Sequence, residues 1–438
     1  MELVEDLAGE DRQRASDRLV AMGEAAVGPV LAVLCDERSP VEWSTAALVL
    51  QRIGEPALEP LVGALAAAAT TEVARRCSST LGGLRVADGG RFAALLSHPA
   101  PRVRESAASA LQDLRADVEP YLPALAGVLD DPDEAVRRRA RLAIEAAGWL
   151  AVPMLREIRR GTGRRRTAAL TTLADVGGWD ALDEADRRAV ARLIEIKAAR
   201  EAPAPMHLCG SWFAVPTADQ PAVLDAFGLA EPRAVTMRLG GSAWTRDHHG
   251  WSSVPHAECR RTYVTPALDG WTLVFGKIPA VAHAAPADSE TVWRDEVRAR
   301  CAALSARFGA AHCYGASCGD GWTAWCLAED GEVIRFYDAF EPGDQTGEPH
   351  PAEAGLRLPH ISAFPMEAFE GVPREGIAER FREIQRTLPA QAHATTLAAR
   401  LSVDPSALGP HTTVAGRAVL ALTPCGLAEP STPGALAI

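Results

Sequence analysis

The chain has 438 residues, 47% of them hydrophobic, and a formal charge of −12 at pH 7. That length supports two or three domains with separate cores, and the negative balance argues against indiscriminate nucleic-acid binding. No apolar run approaches the roughly 18–20 residues that span a bilayer. The first six residues, Met1 to Asp6, are acidic, the reverse of a secretory leader, and nine cysteines, an odd number, fit a reducing compartment. The composition reads as cytoplasmic, with no membrane partner.

From the N-terminus, one helical phrase recurs six times in the first 177 residues. It ends at Gly23, Gly54, Arg85, Arg115, Gly148 and Gly177. Eight places before each end stands a small residue: Ala15, Ala46, Cys77, Ala107, Ala140 and Ala169. Four places before stands a large aliphatic one: Leu19, Leu50, Leu81, Leu111, Ile144 and Leu173. A period near thirty residues with two helical segments per unit predicts an α-solenoid, whose units bury their apolar faces by stacking. In the second unit, 41–53 makes the first helix, Gly54-Glu55-Pro56 the turn and 57–68 the second helix, with glycine ending one helix and proline opening the next. On these residues, and on Asp130-Asp-Pro-Asp-Glu-Ala-Val-Arg-Arg-Arg-Ala140, the stretch 10–199 resembles HEAT repeats, particularly the short bacterial HEAT-like type. The resemblance implies a curved helical arm that binds a protein or peptide. The third unit departs from the pattern, with Val73-Ala74 where Val-Arg is expected, and the sixth has an enlarged turn over 177–183.

Arginine stands eleven places before the phrase end at Arg12, Arg104, Arg137 and Arg166, either a basic stripe for an acidic partner or the repeat's own scaffold arginine, pairing with turn aspartates of neighbouring units. Further arginines between 135 and 166 exceed what the repeat needs, among them Arg138, Arg141, Arg156, Arg160 and Arg164. They form either a solvated face or a docking patch for an acidic protein or a phosphate backbone.

Two prolines in the stretch 200–205 end the helical region. The expected division is a solenoid over 1–200 and a separate α+β domain over 206–438. Candidate strands fall at 211–215, 234–238, 261–265, 271–275, 322–327 and 333–337, with helices at 220–227, 290–308, 374–387 and 392–401. Asp330-Gly331 reads as a hairpin turn, and strands joined by hairpins predict an antiparallel sheet. The stretch 341–359, rich in Gly, Pro and Glu, reads as a long surface loop, and 424–438 as a loosely ordered tail. This half also resembles uncharacterised bacterial domains through Gly270-Trp271, Arg307-Phe308-Gly309 and the Trp-containing hairpin 322–337; that likeness carries no chemistry.

The histidines and cysteines concentrate after residue 200. His256-Ala-Glu-Cys259 contains the His-x-Glu of zinc deaminases, but no Pro-Cys-x-x-Cys completes it. His256, Cys259, Cys313 and Cys318, with His207, Cys209 and His312 beside them in the sequence, are metal-ligand candidates without a paired-cysteine knuckle, so no cofactor is assigned. A Cys–His couple between Cys313 or Cys318 and His256 or His360 is a further option. Gly315-Ala-Ser-Cys-Gly319 matches the nucleophile-elbow pattern yet runs into a strand instead of a helix, which favours a glycine-rich turn. Phosphate-cradling glycine motifs are absent from the sequence. Tryptophan is the stronger signal. Trp244, Trp251, Trp271, Trp322 and Trp325 fall in one domain, and Trp322 and Trp325, three apart on a strand, face opposite sides. Arg335 and Tyr337 share a face of the next strand, so Trp271, Trp322, Trp325, Arg335 and Tyr337 are candidate contact residues. The reading is a non-enzymatic recognition scaffold for a protein or peptide; the alternative is an enzymatic or zinc-binding C-terminal domain fed by the solenoid.

Overall fold

The computed structural model describes residues 2–9, 11–86, 88–249, 257–285, 287–360, 366–373 and 376–428. Two compact units, Met1–Asp183 and Glu184–Ile438, make up the chain.

The first unit is an α-solenoid. After a short α1 (Glu2–Glu5), helices follow in pairs: α2 (Arg12–Met22) and α3 (Glu24–Cys35), α4 (Trp43–Ile53) and α5 (Leu58–Ala66), α6 (Thr71–Gly82) and α7 (Gly90–Leu95). Then come α8 (Pro101–Asp113) and α9 (Leu122–Gly127), α10 (Glu134–Ala146) and α11 (Val152–Arg160), and α12 (Arg165–Ala181). The first helices stack in one row, α2 on α4 on α6 on α8 on α10 on α12. The repeat phrase explains why. Its six small residues are no more than 3% exposed and its six aliphatic ones no more than 2%, so each small side chain marks a close approach and each aliphatic one fills the adjoining gap. The phrase ends turn the chain: Gly23, Gly54 and Gly148 have φ of 57°, 80° and 59°, and Arg115 takes the same left-handed conformation at 52°. In the sixth unit the positive φ belongs to Gly178, one place later than the repeat spacing implies, where α12 kinks. Of the scaffold arginines, Arg104 makes a bidentate pair with Asp131 at 2.8 Å and donates to two carbonyls, of His98 and Pro99. Arg137 likewise donates to the carbonyls of Asp131 and Pro132. Asp133 accepts from the amides of Ala135 and Val136, capping α10. In the aberrant third unit Arg76 takes over, donating to the carbonyls of Leu34 and Asp36.

The second unit begins at α13 (Glu184–Ala198), which packs on β2 (Ala230–Val235) and sends Glu195 to Arg417. This helix, expected to close the sixth hairpin, is held by the second unit. Its remaining elements are β1 (Gly210–Val215), α14 (Gln220–Ala226), α15 (Met237–His249), β3 (Arg261–Leu268), β4 (Trp271–Phe275), α16 (Pro279–His283), α17 (Ser289–Phe308), β5 (Ala310–Ala316), β6 (Thr323–Glu329), β7 (Glu332–Asp338), α18 (Ile377–Thr387), α19 (Ala394–Leu401), β8 (Val414–Ala415), β9 (Ala418–Leu422) and α20 (Pro424–Ala428). The strands form an antiparallel sheet in the order β2-β9-β3-β4-β1-β5-β6-β7, with β8 against β3. One face is covered by α17, whose Val297, Cys301 and Leu304 pack with Phe213, Val274, Cys313, Cys326 and Phe336. The other face is aromatic, with Trp212, Tyr263, Phe275, Tyr314, Trp325 and Tyr337 all fully buried.

Three strands, β5, β8 and β9, and helices α15, α16 and α20 have no counterpart in the sequence expectation; α20 falls in the stretch read as a tail, and the strand expected at 234–238 lies earlier, as β2. The small residues of β5 disfavour a strand locally, but its position between β1 and β6 supplies both hydrogen-bonding partners. Helix α15 contains Gly240-Gly241, a pair that ordinarily breaks helices; a Cβ on Gly240 would lie 2.1 Å from the Tyr263 ring, so glycine there admits the aromatic.

Candidate functional site

A cleft of about 330 Å³ opens at one end of the sheet, where β1 begins and β5 and β7 finish. Its aromatic wall is Trp293 from α17 and Trp322 from the β5–β6 turn, edge to face with centroids 5.2 Å apart. Glycine makes room for this: a Cβ on Gly315 would lie 2.3 Å from the Trp322 ring, and one on Gly210 would lie 2.3 Å from His248 Nε2. The indoles are tied into the wall, Trp322 Nε1 donating to Asp338 Oδ1 at 2.9 Å and Trp293 Nε1 to Ser211 Oγ at 3.1 Å. Arg294 lies 3.7 Å from the other oxygen of Asp338. At the rim, Lys277 pairs with Glu258 at 3.2 Å. Asp320 accepts from the Trp322 amide, and hydrogen bonds from the Ser317 side chain and that amide hold its carboxyl below the usual range. The cleft therefore joins aromatic surface to a charged acidic rim, an arrangement suited to holding a cationic or amphipathic group.

Ser317 is no nucleophile elbow. It sits in the turn after β5, its Oγ accepting from the amides of Gly319 and Asp320, and strand β6 follows. Among the described residues no histidine reaches it.

The remaining sequence candidates divide sharply. Trp322 lines the cleft and Trp325 lies on the opposite side of the sheet. Trp325, Arg335 and Tyr337 do share one face, but as a buried cluster and not as a contact surface: each is at most 1% exposed. Trp325 stacks on Tyr337 at 4.4 Å, and Glu353 accepts from Trp325 Nε1 and, bidentately, from Arg335. The cause is the segment 341–359, which reads as a surface loop yet folds back to bury Glu353 at 5% exposure. Only the unusual need of a buried arginine for a carboxylate signalled it. Trp271 stacks on His312, 5.0 Å away. Burial, reinforced by His350, pushes the His312 imidazole down to about 4.

Among the described metal candidates, Cys259, Cys313 and Cys318 are not brought together. Cys313 lies in the core under α17 with Cys301 and Cys326, because alternate residues of β5 face opposite sides. His360 bonds Tyr337 on the other side of the sheet, so it makes no couple with Cys313. Cys318 is exposed, with the free thiol of Cys209 beside it. Cys259 is buried near His283 and Cys425. His256 and Trp251 lie outside the described residues.

In the solenoid the arginines also separate. Arg156 donates to the carbonyls of Asp180 and Ala181 at the end of α12, and Arg141 lies 3.8 Å from Asp175. Burial pushes that carboxyl up to about 6 against the pull of Arg141. Arg138, Arg160 and Arg164 are exposed, with no hydrogen bond or ion pair among the described residues. Trp149 and Leu150, in the same repeats, are 48% and 44% exposed.

No protein-family model and no curated protein sequence matches the chain. Several solved structures have partial likeness. A designed armadillo repeat protein in complex with the peptide (KR)4 is 20% identical, covering 39% of this chain and 98% of its own, with a TM-score of 0.22. An engineered protein is 17% identical over 38% of this chain and 92% of its own, TM-score 0.21. Kap121p bound to Nup53p is 11% identical over 69% and 39%, TM-score 0.21. At such TM-scores these carry no argument, and the solenoid stands on its own burial pattern. Among the described residues no helix is long and apolar enough to cross a membrane.

Proposed function

We propose that the protein is a recognition scaffold whose solenoid docks an acidic protein or peptide. The observation that supports this best is the sorting of arginines in the fourth to sixth repeats. Arg104, Arg137, Arg141 and Arg156 serve the scaffold, whereas Arg138, Arg160 and Arg164 are exposed and uncommitted. With Trp149 and Leu150 they supply the residue types that dominate protein contacts, aromatic area together with guanidinium donors. On a chain of net charge −12, exposed arginines concentrated in these repeats favour a specific acidic partner over nonspecific polyanion binding. The cleft of the second unit offers a separate place for a cationic or amphipathic group, and it also keeps open a second reading, a ligand-binding or enzymatic C-terminal unit.

The test is affinity purification from the native host, with wild type and the Arg138→Glu/Arg160→Glu/Arg164→Glu variant as baits. A polypeptide enriched by wild type and reduced at least about tenfold by the variant supports the proposal. Equal enrichment by both baits, or nucleic acid alone, overturns it.

A further inference from the structure

Three ligating atoms from distant parts of the chain converge beside β3. They are Cys259 Sγ, just before that strand, His283 Nε2, at the end of α16, and Cys425 Sγ, in α20. All three atoms lie within 4.8 Å of one another, with His283 Nε2 3.1 Å from Cys425 Sγ. Hydrogen bonds that use neither thiol hold this arrangement. Thr423 Oγ1 donates to the Cys259 carbonyl at 2.6 Å, and the Thr423 amide donates to the Arg260 carbonyl at 2.9 Å. Gly426 completes the approach, since a Cβ there would stand 2.1 Å from the Arg260 oxygen. The backbone thus delivers Cys425 against Cys259 before any ligand is bound.

We infer that Cys259, His283 and Cys425 form a binding site for one zinc ion. Two thiolates and an imidazole are a donor set that zinc takes in tetrahedral geometry, at about 2.3 Å to sulfur and about 2.0–2.1 Å to nitrogen. Those bond lengths set neighbouring ligand atoms about 3.4–3.8 Å apart, so the group opens by a few tenths of an ångström at its tightest contact. Calcium and magnesium require oxygen donors, which this group lacks. Binding releases one proton from each thiol as its Zn–S bond forms. Cys259 is buried, Cys425 half-buried and His283 exposed, so the fourth coordination position faces solvent and takes a water molecule. The ion joins α20 to the start of β3, and Glu258 and Val281, close in the chain to two of the ligands, line the cleft. Only Cys259 of this group belongs to the metal candidates read from the sequence.

The test uses the full chain, reduced and then stripped with chelator. Titration with Zn²⁺ against a chromophoric chelator is expected to give one tight site per chain. Co²⁺ in its place is expected to give the near-ultraviolet thiolate charge-transfer band and the intense visible bands of a tetrahedral site. Cys425→Ser and His283→Asn lie at half-buried and exposed positions, where the fold tolerates change, and each is expected to weaken binding by about ten- to a hundredfold or more. Absence of stoichiometric Zn²⁺ binding in the reduced protein overturns the inference. So does binding that both variants retain, or a Co²⁺ spectrum without thiolate bands.

Discussion

The burial of His312 predicts acid sensitivity in the second unit. This histidine stacks on Trp271, bonds the Tyr314 hydroxyl at 3.1 Å and is 6% exposed. Burial holds its folded pKa at about 4, below the ordinary imidazole value of about 6.5, so the unfolded chain binds the extra proton first. Stability therefore falls as the pH drops from about 6.5 to 4, by on the order of 3 kcal/mol in all. Urea midpoints at pH 7.5, 5.5 and 4 should show this slope in the wild type and a flatter one in His312→Gln; equal slopes would remove His312 as the cause. Glu353 gives a second test at this scale. Truncating it to alanine leaves the Arg335 guanidinium buried without its carboxylate, which should cost about 3–5 kcal/mol. The double change Arg335→Met/Glu353→Leu should recover most of that loss. If the single variant unfolds at the wild-type urea concentration, the buried cluster does not stabilise the sheet.

At the level of elements, the repeat phrase makes its own predictions. Ala107 is fully buried where α8 meets its neighbours, so Ala107→Leu should overpack the junction and cost about 1–3 kcal/mol. Gly54 has φ of 80°, and a Cβ there would lie 2.6 Å from the Arg85 carbonyl; Gly54→Ala should cost about 1–3 kcal/mol in thermal or urea unfolding. No change in either variant would contradict the repeat register. The solenoid was legible because its signal repeats: six small residues and six aliphatic ones at constant offsets cannot average away. The second unit was legible where side chains alternate or turns are glycine-rich, as at β4, β6 and β7. It was not legible at β5, where the sheet overrides weak local propensity, nor at α15, where Gly240 serves the Tyr263 ring and not the helix. The cleft was half legible. Trp322 stood out, but Trp293 reads as one more helical residue until Trp322 turns beside it. Glu353 and the grouping of Cys259, His283 and Cys425 depend on contacts that no sequence spacing records.

Taken as a whole molecule, the chain joins an α-solenoid to an antiparallel α+β unit, and each carries its own candidate surface. On the solenoid, scaffold arginines and free arginines differ in partner and not in sequence, so charge reversal at Arg138, Arg160 and Arg164 should leave the melting temperature within about 2 °C of wild type, as surface changes do. A large loss would mean that these side chains hold the fold. The most direct measurement of the central claim is native mass spectrometry of the untagged protein purified from its own host at moderate salt. We expect a complex whose mass exceeds that of the chain by one acidic polypeptide, dissociating in the charge-reversed variant. The bare chain as the only species at micromolar concentration, or a complex that persists in the variant, would contradict recognition through these arginines.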